Sequence, residues 1–305
     1  MPTTENGLAP RCVPFHRSFF MTRPSTRGDG SPGVVRPEYV AAIREVVGPI
    51  MRALHRPTLE GTENLPTKGP YLLVANHSAG VGLSEIACIA SLYLEKVGPD
   101  RPLAGFAHPI AFRFGVVANL MRDLGAVPST YADGDAALAS GTPLLVFPGG
   151  DHETFRPVWQ HGRVDFGGRR GFLKMAKKAN VPIVPLGIQG SHFTAPVLWR
   201  SRHLLPNLLV LPRLVGLKRW AVTAFGAVGA AALLSRSWPL WLRGLSTWAW
   251  LTSPLVFLPV VPATIRMRIG TPIPPEDLFA DGDEDLAGAL ARVEGEVQRI
   301  VTSLA

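Results

Sequence analysis

Three short runs in this chain are apolar at almost every position: residues 71–75 (YLLVA), 142–147 (TPLLVF) and 181–188 (VPIVPLGI). Successive side chains of a strand point to opposite faces, so a strand that is apolar throughout has to be covered on both. That requirement points to a sheet with helices on each side. The intervening stretches supply them. Residues 37–54 carry Val40, Ile43, Val46, Val47 and Ile50 at helical spacing behind Pro37, a residue suited to a first helical turn. Residues 84–97, 109–124, 132–140 and 283–303 read as further helices, and residues 58–63 and 264–269 as further strands. The expected fold class is α/β, a mostly parallel central sheet flanked by helices, without internal repeats.

Charge narrows the functional classes. The 31 Lys and Arg exceed the 23 Asp and Glu by 31 − 23 = 8, yet only 18% of residues are charged, below the roughly 25% of average domains. Mean hydropathy is +0.18. Basic nucleic-acid binders are usually rich in charge, and no Lys/Arg run, helix-turn-helix or stacking-aromatic pattern is present, so no nucleic-acid partner is expected. A basic but apolar chain fits an anionic membrane surface or acidic substrates. Cys12 and Cys88 are the only cysteines, which excludes a disulfide scaffold and a Cys-based zinc site; no metal is expected, and a reducing cytoplasmic compartment fits.

Residues 1–36 are rich in Pro, Gly, Ser, Thr and Arg without an apolar signal core, and are expected to be a disordered tail, with Met21 an alternative start. Residues 37–305 then form one domain. Within it, Trp220 to Ser235 is an uncharged run of 16 residues and Gly244 to Ile265 one of 22. The second run is long enough to span a bilayer, but Pro254, Pro259 and Pro262 interrupt it. The segment 204–262 is therefore expected to lie on the membrane, peripheral or monotopic, held by Trp238, Trp241, Trp248 and Trp250. A buried core helix pair is the alternative.

Two polar clusters directly follow buried strands, where open α/β sheets bind ligands. The first runs from Asn76 to Glu85, with His77 leaving the strand into a Gly-containing loop. An imidazole titrating near pH 6.5 suits a general base, and such a base needs a carboxylate to fix its tautomer. Glu85 is the carboxylate close in sequence; simple placement in a helix first turn is its other reading. The second cluster is FPGGDHETFR, residues 147–156. Gly149 and Gly150 can expose backbone N–H groups to an oxyanion, while Asp151, Glu153 and Arg156 can position polar substrate groups. A plain turn is the alternative. Arg169 and Arg170 open a helix, a natural phosphate site. Asn76 completes the substrate-binding set.

Taken together, Asn76-His77 and a carboxylate after one strand, FPGG after another, Arg170-Gly171-Phe172 at a helix start and then VPIVP resemble the glycerolipid acyltransferases of the lysophosphatidate acyltransferase superfamily, over roughly residues 60–195. The resemblance implies transfer of a fatty acyl group from acyl-CoA or acyl-carrier protein, as co-substrate without any cofactor, to a lipid hydroxyl. His77 would be the general base and Glu85 its partner, at the cytoplasmic face of the cell membrane. Three departures stand out. The family's Asp five residues after the histidine is replaced by Gly82, its Phe-Pro-Glu-Gly reads FPGG, and the arginine linked to glycerophosphate binding is missing after Gly125 to Thr130. Pro-Gly-Gly with a later Glu also resembles the diacylglycerol acyltransferases. A lysophospholipid or related glycerolipid acceptor is expected, with a neutral alcohol as the alternative. A serine hydrolase lacks its Gly-x-Ser-x-Gly elbow. A non-catalytic lipid-binding protein would tolerate loss of His77.

Overall fold

The structure is a computed structural model and describes residues 32–78, 82–113, 115–214, 216–279 and 286–305. Residues 1–31 of the expected tail lie outside them. Residues 32–36 do not behave as a tail: Val35 bridges Leu124, and Arg36 N–H donates to the Asp123 carbonyl at 3.0 Å.

Helix α1 (Pro37–Ala42) passes through a π turn (Ile43–Val47) into α2 (Gly48–His55), followed by β1 (Thr58–Glu60) and β2 (Leu72–Ala75). Next come α3 (Leu83–Lys96), β3 (Ala104–Ala107), α4 (Gly115–Asp123), β4 (Ala126–Pro128), α5 (Tyr131–Ala139) and β5 (Leu144–Val146). Short α6 (Asp151–Thr154) leads to α7 (Gly171–Ala179) and β6 (Ile183–Gln189). An insertion follows, with β7 (Val197–Ser201), α8 (Leu204–Leu209), α9 (Leu211–Leu214), β8 (Trp220–Thr223), α10 (Ala224–Leu234) and α11 (Leu240–Thr252). The chain then rejoins the sheet through β9 (Arg266–Ile269), α12 (Pro275–Leu278) and α13 (Ala287–Ser303).

The main sheet has the order β1-β9-β6-β2-β5-β3-β4, and among its described strand pairs only β6 with β9 is antiparallel. This is the mostly parallel, helix-flanked sheet that the apolar runs require. Leu72 and Val74 of β2 face a core shared with α5, α7 and α13, whereas Leu73 and Ala75 face one shared with α3. Both faces are thus covered, as a run without polar positions demands. The helix over residues 37–55 forms as read, but its apolar stripe is only partly used: Ile43 is buried, while Val46 and Ile50 are exposed.

The insertion builds a small core of its own. Val197, Leu205, Trp220, Val256 and Phe257 close around Phe155, which belongs to the segment after β5. Antiparallel β7 and β8 frame it. Helices α10 and α11 have 11 and 13 residues, about 16 and about 20 Å at 1.5 Å per residue. No described helix is long and apolar enough to cross a membrane. The Gly244–Ile265 run is broken where α11 stops at Thr252 and Pro254 begins a 3₁₀ turn. Of the four tryptophans expected on a lipid surface, Trp250 points inward instead. It packs edge-on against Phe225 and donates its indole N–H to the Gly226 carbonyl at 2.9 Å.

Candidate active site

The carboxyl ends of β2, β5 and β6 converge, and three segments leave them: residues 76–78, 147–156 and 190–194. Asn76 is the anchor. Its amide oxygen accepts the Ile188 N–H at 2.8 Å and its amide nitrogen donates to the Ile188 carbonyl at 2.9 Å. Through these two bonds the buried side chain ties the end of β2 to β6.

His77 follows at once, and its ring is held on two sides. Phe147 stacks on it with centroids 4.3 Å apart and planes at 24°. Glu85 meets its Nδ1. A carboxylate only accepts hydrogen bonds, so in the neutral imidazole Nδ1 carries the proton and Nε2 the lone pair. Glu85 is completely buried at the start of α3. Its Oε1 also accepts the Ser78 N–H at 3.1 Å, and its Oε2 accepts the hydroxyls of Ser78 at 2.9 Å and Ser191 at 3.0 Å.

Gly82 makes the His77–Glu85 pairing sterically possible. Its φ is +69°, and a Cβ there would lie 2.3 Å from His77 Cε1 and 3.0 Å from Glu85 Oε1. With no side chain at position 82, the carboxylate that meets His77 is the one eight residues after it.

The segment after β5 serves mostly to support this pair. Glu153 is completely buried. It accepts the His77 N–H at 2.9 Å, the Asp165 N–H at 3.0 Å and Arg156 Nη2 at 2.8 Å. Burial pushes its carboxyl up to about 7, against the opposing pull of Arg156 and the two N–H donors. Gly149 has no room for a side chain because Glu153 lies beneath it: a Cβ would sit 2.2 Å from Glu153 Cγ. Glu153 therefore fixes the His77 backbone from below and does not face substrate. Arg156 is likewise buried: its Nη2 donates to Glu153, while among the described residues its Nη1 has no hydrogen-bond partner.

The Gly150 N–H donates to the Phe147 carbonyl at 3.1 Å, which removes it as an oxyanion donor. Among the described residues, the Gly149 N–H donates no hydrogen bond. Asp151 bridges Arg169 and Arg219, the latter at 3.0 Å. Burial alone would raise its carboxyl, but the two guanidinium groups hold it below the usual carboxylate range. Arg169 also donates to the Gly149 carbonyl at 2.8 Å, and Arg170 occupies the N-cap of α7. His192, beside Ser191, is buried. Burial, with Arg156, His161 and His77 nearby, pushes its imidazole down to about 3.

The structure thus brings together His77, Glu85, Gly149 and Glu153, and gathers Asp151, Arg169 and Arg219 beside them. Ser78, Ser191, His192 and Arg219 were not singled out from the sequence.

Residues 56–189, from just before β1 to the end of β6, match the family model described as Acyltransferase. An uncharacterised protein of Mycobacterium leprae is 32% identical over 196 residues, 64% of this chain and 51% of its own length. Phytyl ester synthase 2 of Arabidopsis thaliana is 28% identical over 135 residues, 42% of this chain and 19% of its own. The chain spans about half the length of its mycobacterial relatives. The solved structure of the 1-acyl-sn-glycerophosphate acyltransferase PlsC from Thermotoga maritima superposes with a TM-score of 0.49 at 20% identity, over 87% of this chain and 79% of that one.

Proposed function

We propose that this chain, through the region 56–189 that matches the acyltransferase model, transfers a fatty acyl group from a thioester, acyl-CoA or acyl-carrier protein, to a lipid hydroxyl, with His77 as general base. An acyltransferase is the class that the family match supports. One observation carries the assignment of the base: at the end of a buried central strand, Glu85 meets Nδ1 of an imidazole stacked on Phe147, which leaves Nε2 as the nitrogen turned away from the carboxylate.

In this reading Nε2 takes the proton of the acceptor hydroxyl as its oxygen attacks the thioester carbonyl carbon. The oxyanion that forms is met by the Gly149 N–H. When the carbon–sulfur bond breaks, the imidazolium returns its proton to the departing thiolate, leaving ester and free thiol. Glu85 holds the ring in one tautomer and stabilises the cation between the two steps. The enzyme needs no covalent intermediate.

A lysophospholipid or related phosphate-bearing acceptor draws its support from Arg169 and Arg170 beside the FPGG segment. A neutral long-chain alcohol is the second reading. It is favoured by the commitment of Arg156 to Glu153 and by Asp151, which neutralises much of Arg169 and Arg219; a relative whose name is phytyl ester synthase points the same way.

The insertion supplies an apolar outer surface. Leu240 is 75% exposed, Trp241 68% and Trp238 42%, with Val228 and Leu245 also outward. Contiguous exposed apolar patches mark protein or membrane contact surfaces. In this reading the insertion rests on the cytoplasmic face of the membrane, with α10 and α11 lying in the interface.

The test is purified protein with radiolabelled palmitoyl-CoA or palmitoyl-carrier protein and an acceptor panel of lysophosphatidate, lysophosphatidylcholine, diacylglycerol and phytol. Acylation of the lysophospholipids supports the first acceptor reading, and of only the neutral alcohols the second. Acylation of none refutes the proposed activity.

A further inference from the structure

We propose that Ser191 and Ser78 are positioning residues that clamp the Glu85 carboxylate in the plane His77 needs; the inference rests on the reading of His77 as the base. The last side-chain torsion of a glutamate is broad and weakly preferred, so a carboxylate at the start of a helix does not by itself present one oxygen to a given imidazole. Here the two oxygens are separated in role. Oε2 receives both serine hydroxyls, and Oε1 is left to the Ser78 N–H and to His77 Nδ1. Rotation of the carboxylate breaks both hydroxyl bonds at once.

The two serines come from different strand ends. Ser78 follows β2, one residue beyond His77. Ser191 follows β6, 106 residues from Glu85, in a 3₁₀ turn (Ser191–Phe193). That turn is rigid. The Thr194 hydroxyl donates to the Ser191 carbonyl at 2.8 Å. Gly190, at φ +93°, lies so close to the Thr264 carbonyl that a Cβ would stand 1.9 Å from it. The hydroxyls of Ser78 and Ser191 also touch each other, and both residues are buried. With no solvent to take the place of a lost hydroxyl, the remaining oxygen has fewer anchors and the carboxylate turns away from His77.

The experiment measures Ser191→Ala and Ser78→Ala, checked for folding by thermal melting, in acyl transfer from palmitoyl-CoA to the acceptor the wild type uses. Each variant is expected to lose about tenfold in kcat with both KM values within about twofold, as for a lost hydrogen bond to a charged group. In a Glu85→Gln background the same substitution should add less than about twofold, because the hydroxyls act only through the carboxylate. Should Ser191→Ala not fold, Ser78→Ala, which keeps its backbone N–H donor, carries the same comparison. A readout independent of turnover is the far-downfield proton resonance of an imidazole N–H bonded to a carboxylate. It should be present in wild type, absent in His77→Ala, and moved or broadened in Ser191→Ala. Folded Ser191→Ala with unchanged kcat and an unmoved resonance overturns the clamp while leaving the base assignment standing. Unchanged turnover in His77→Ala overturns the base assignment itself.

Discussion

Replacing Gly82 by alanine tests the geometry of the site at its tightest point. The added Cβ would lie 2.3 Å from His77 Cε1, where two carbons prefer roughly 3.5–4.0 Å. The imidazole has to move by about 1.2 Å or more, away from Glu85 or from its stack on Phe147. Misplacement of about 1 Å in a catalytic group costs on the order of 10²-fold, so kcat should fall about 100-fold. A left-handed backbone angle adds roughly 1–2 kcal/mol of strain for any residue with a Cβ. Gly141→Ala separates the two effects, since Gly141 has φ +82° with nothing within 4 Å of the added atom. It should show a similar drop in melting temperature and full activity. Gly82→Asp places a carboxylate where the family usually has one, yet should be as inactive as the alanine variant, because the collision is made by Cβ. Acyl-transfer kinetics beside thermal melts of the three variants decide the matter. Wild-type turnover in Gly82→Ala refutes the tight His77–Gly82–Glu85 arrangement.

Other expectations follow from the same geometry. Arg156→Ala leaves a buried, unpaired Glu153 and should destabilise the fold by about 3–5 kcal/mol in urea titrations, with Glu153→Gln in the same chain recovering part of the loss; a stable variant with only a raised acceptor KM contradicts this. His192 is held neutral, so its stabilisation is complete above its unfolded pKa of about 6.5 and fades as pH falls toward about 3, by about 1.4 kcal/mol per unit. Glu153, raised to about 7, works the other way between about 4.5 and 7. Stability from these two groups should stay flat from about pH 6.5 to 4.5, and His192→Asn should turn that plateau into a rise on acidification. A plateau that persists in the variant rejects the assignment. Trp238→Ala with Trp241→Ala should weaken flotation with anionic liposomes in high salt while leaving the melting temperature unchanged; undiminished flotation removes these residues from the membrane surface.

The sheet was legible where chemistry left one option. β2, β5 and β6 are apolar on both faces, and nothing but a covered strand accommodates them. β3 and β4 escaped notice because they are short and half-exposed: Ala104–Ala107 has a glycine at its centre and only Ala104 fully covered, and Ala126–Pro128 follows a glycine and ends in proline. The helix over residues 37–55 was legible from its spacing, but spacing does not say what the stripe faces, and Val46 and Ile50 turned out to face outward. In the site, His77 and Glu85 are near in sequence and a loop return could be imagined. Ser191 is 106 residues from Glu85, the His77 backbone 76 residues from Glu153, and Arg219 68 from Asp151. Pairings at such separations are created by strand order, which local pattern does not encode. For the same reason the internal partners of Asn76, Glu153 and Arg156 were not legible: a polar residue at a strand end reads alike whether it faces a ligand or clasps the next strand.

The central claim is that His77 removes a proton from the acceptor hydroxyl during acyl transfer. The most direct measurement is single-turnover transfer from radiolabelled palmitoyl-CoA to the accepted lipid, comparing wild type with His77→Ala at matched melting temperature. The account predicts a loss of about 10²–10⁴ in the rate of ester formation, with binding of palmitoyl-CoA unchanged. Ester formed by His77→Ala at a rate within threefold of wild type would contradict it.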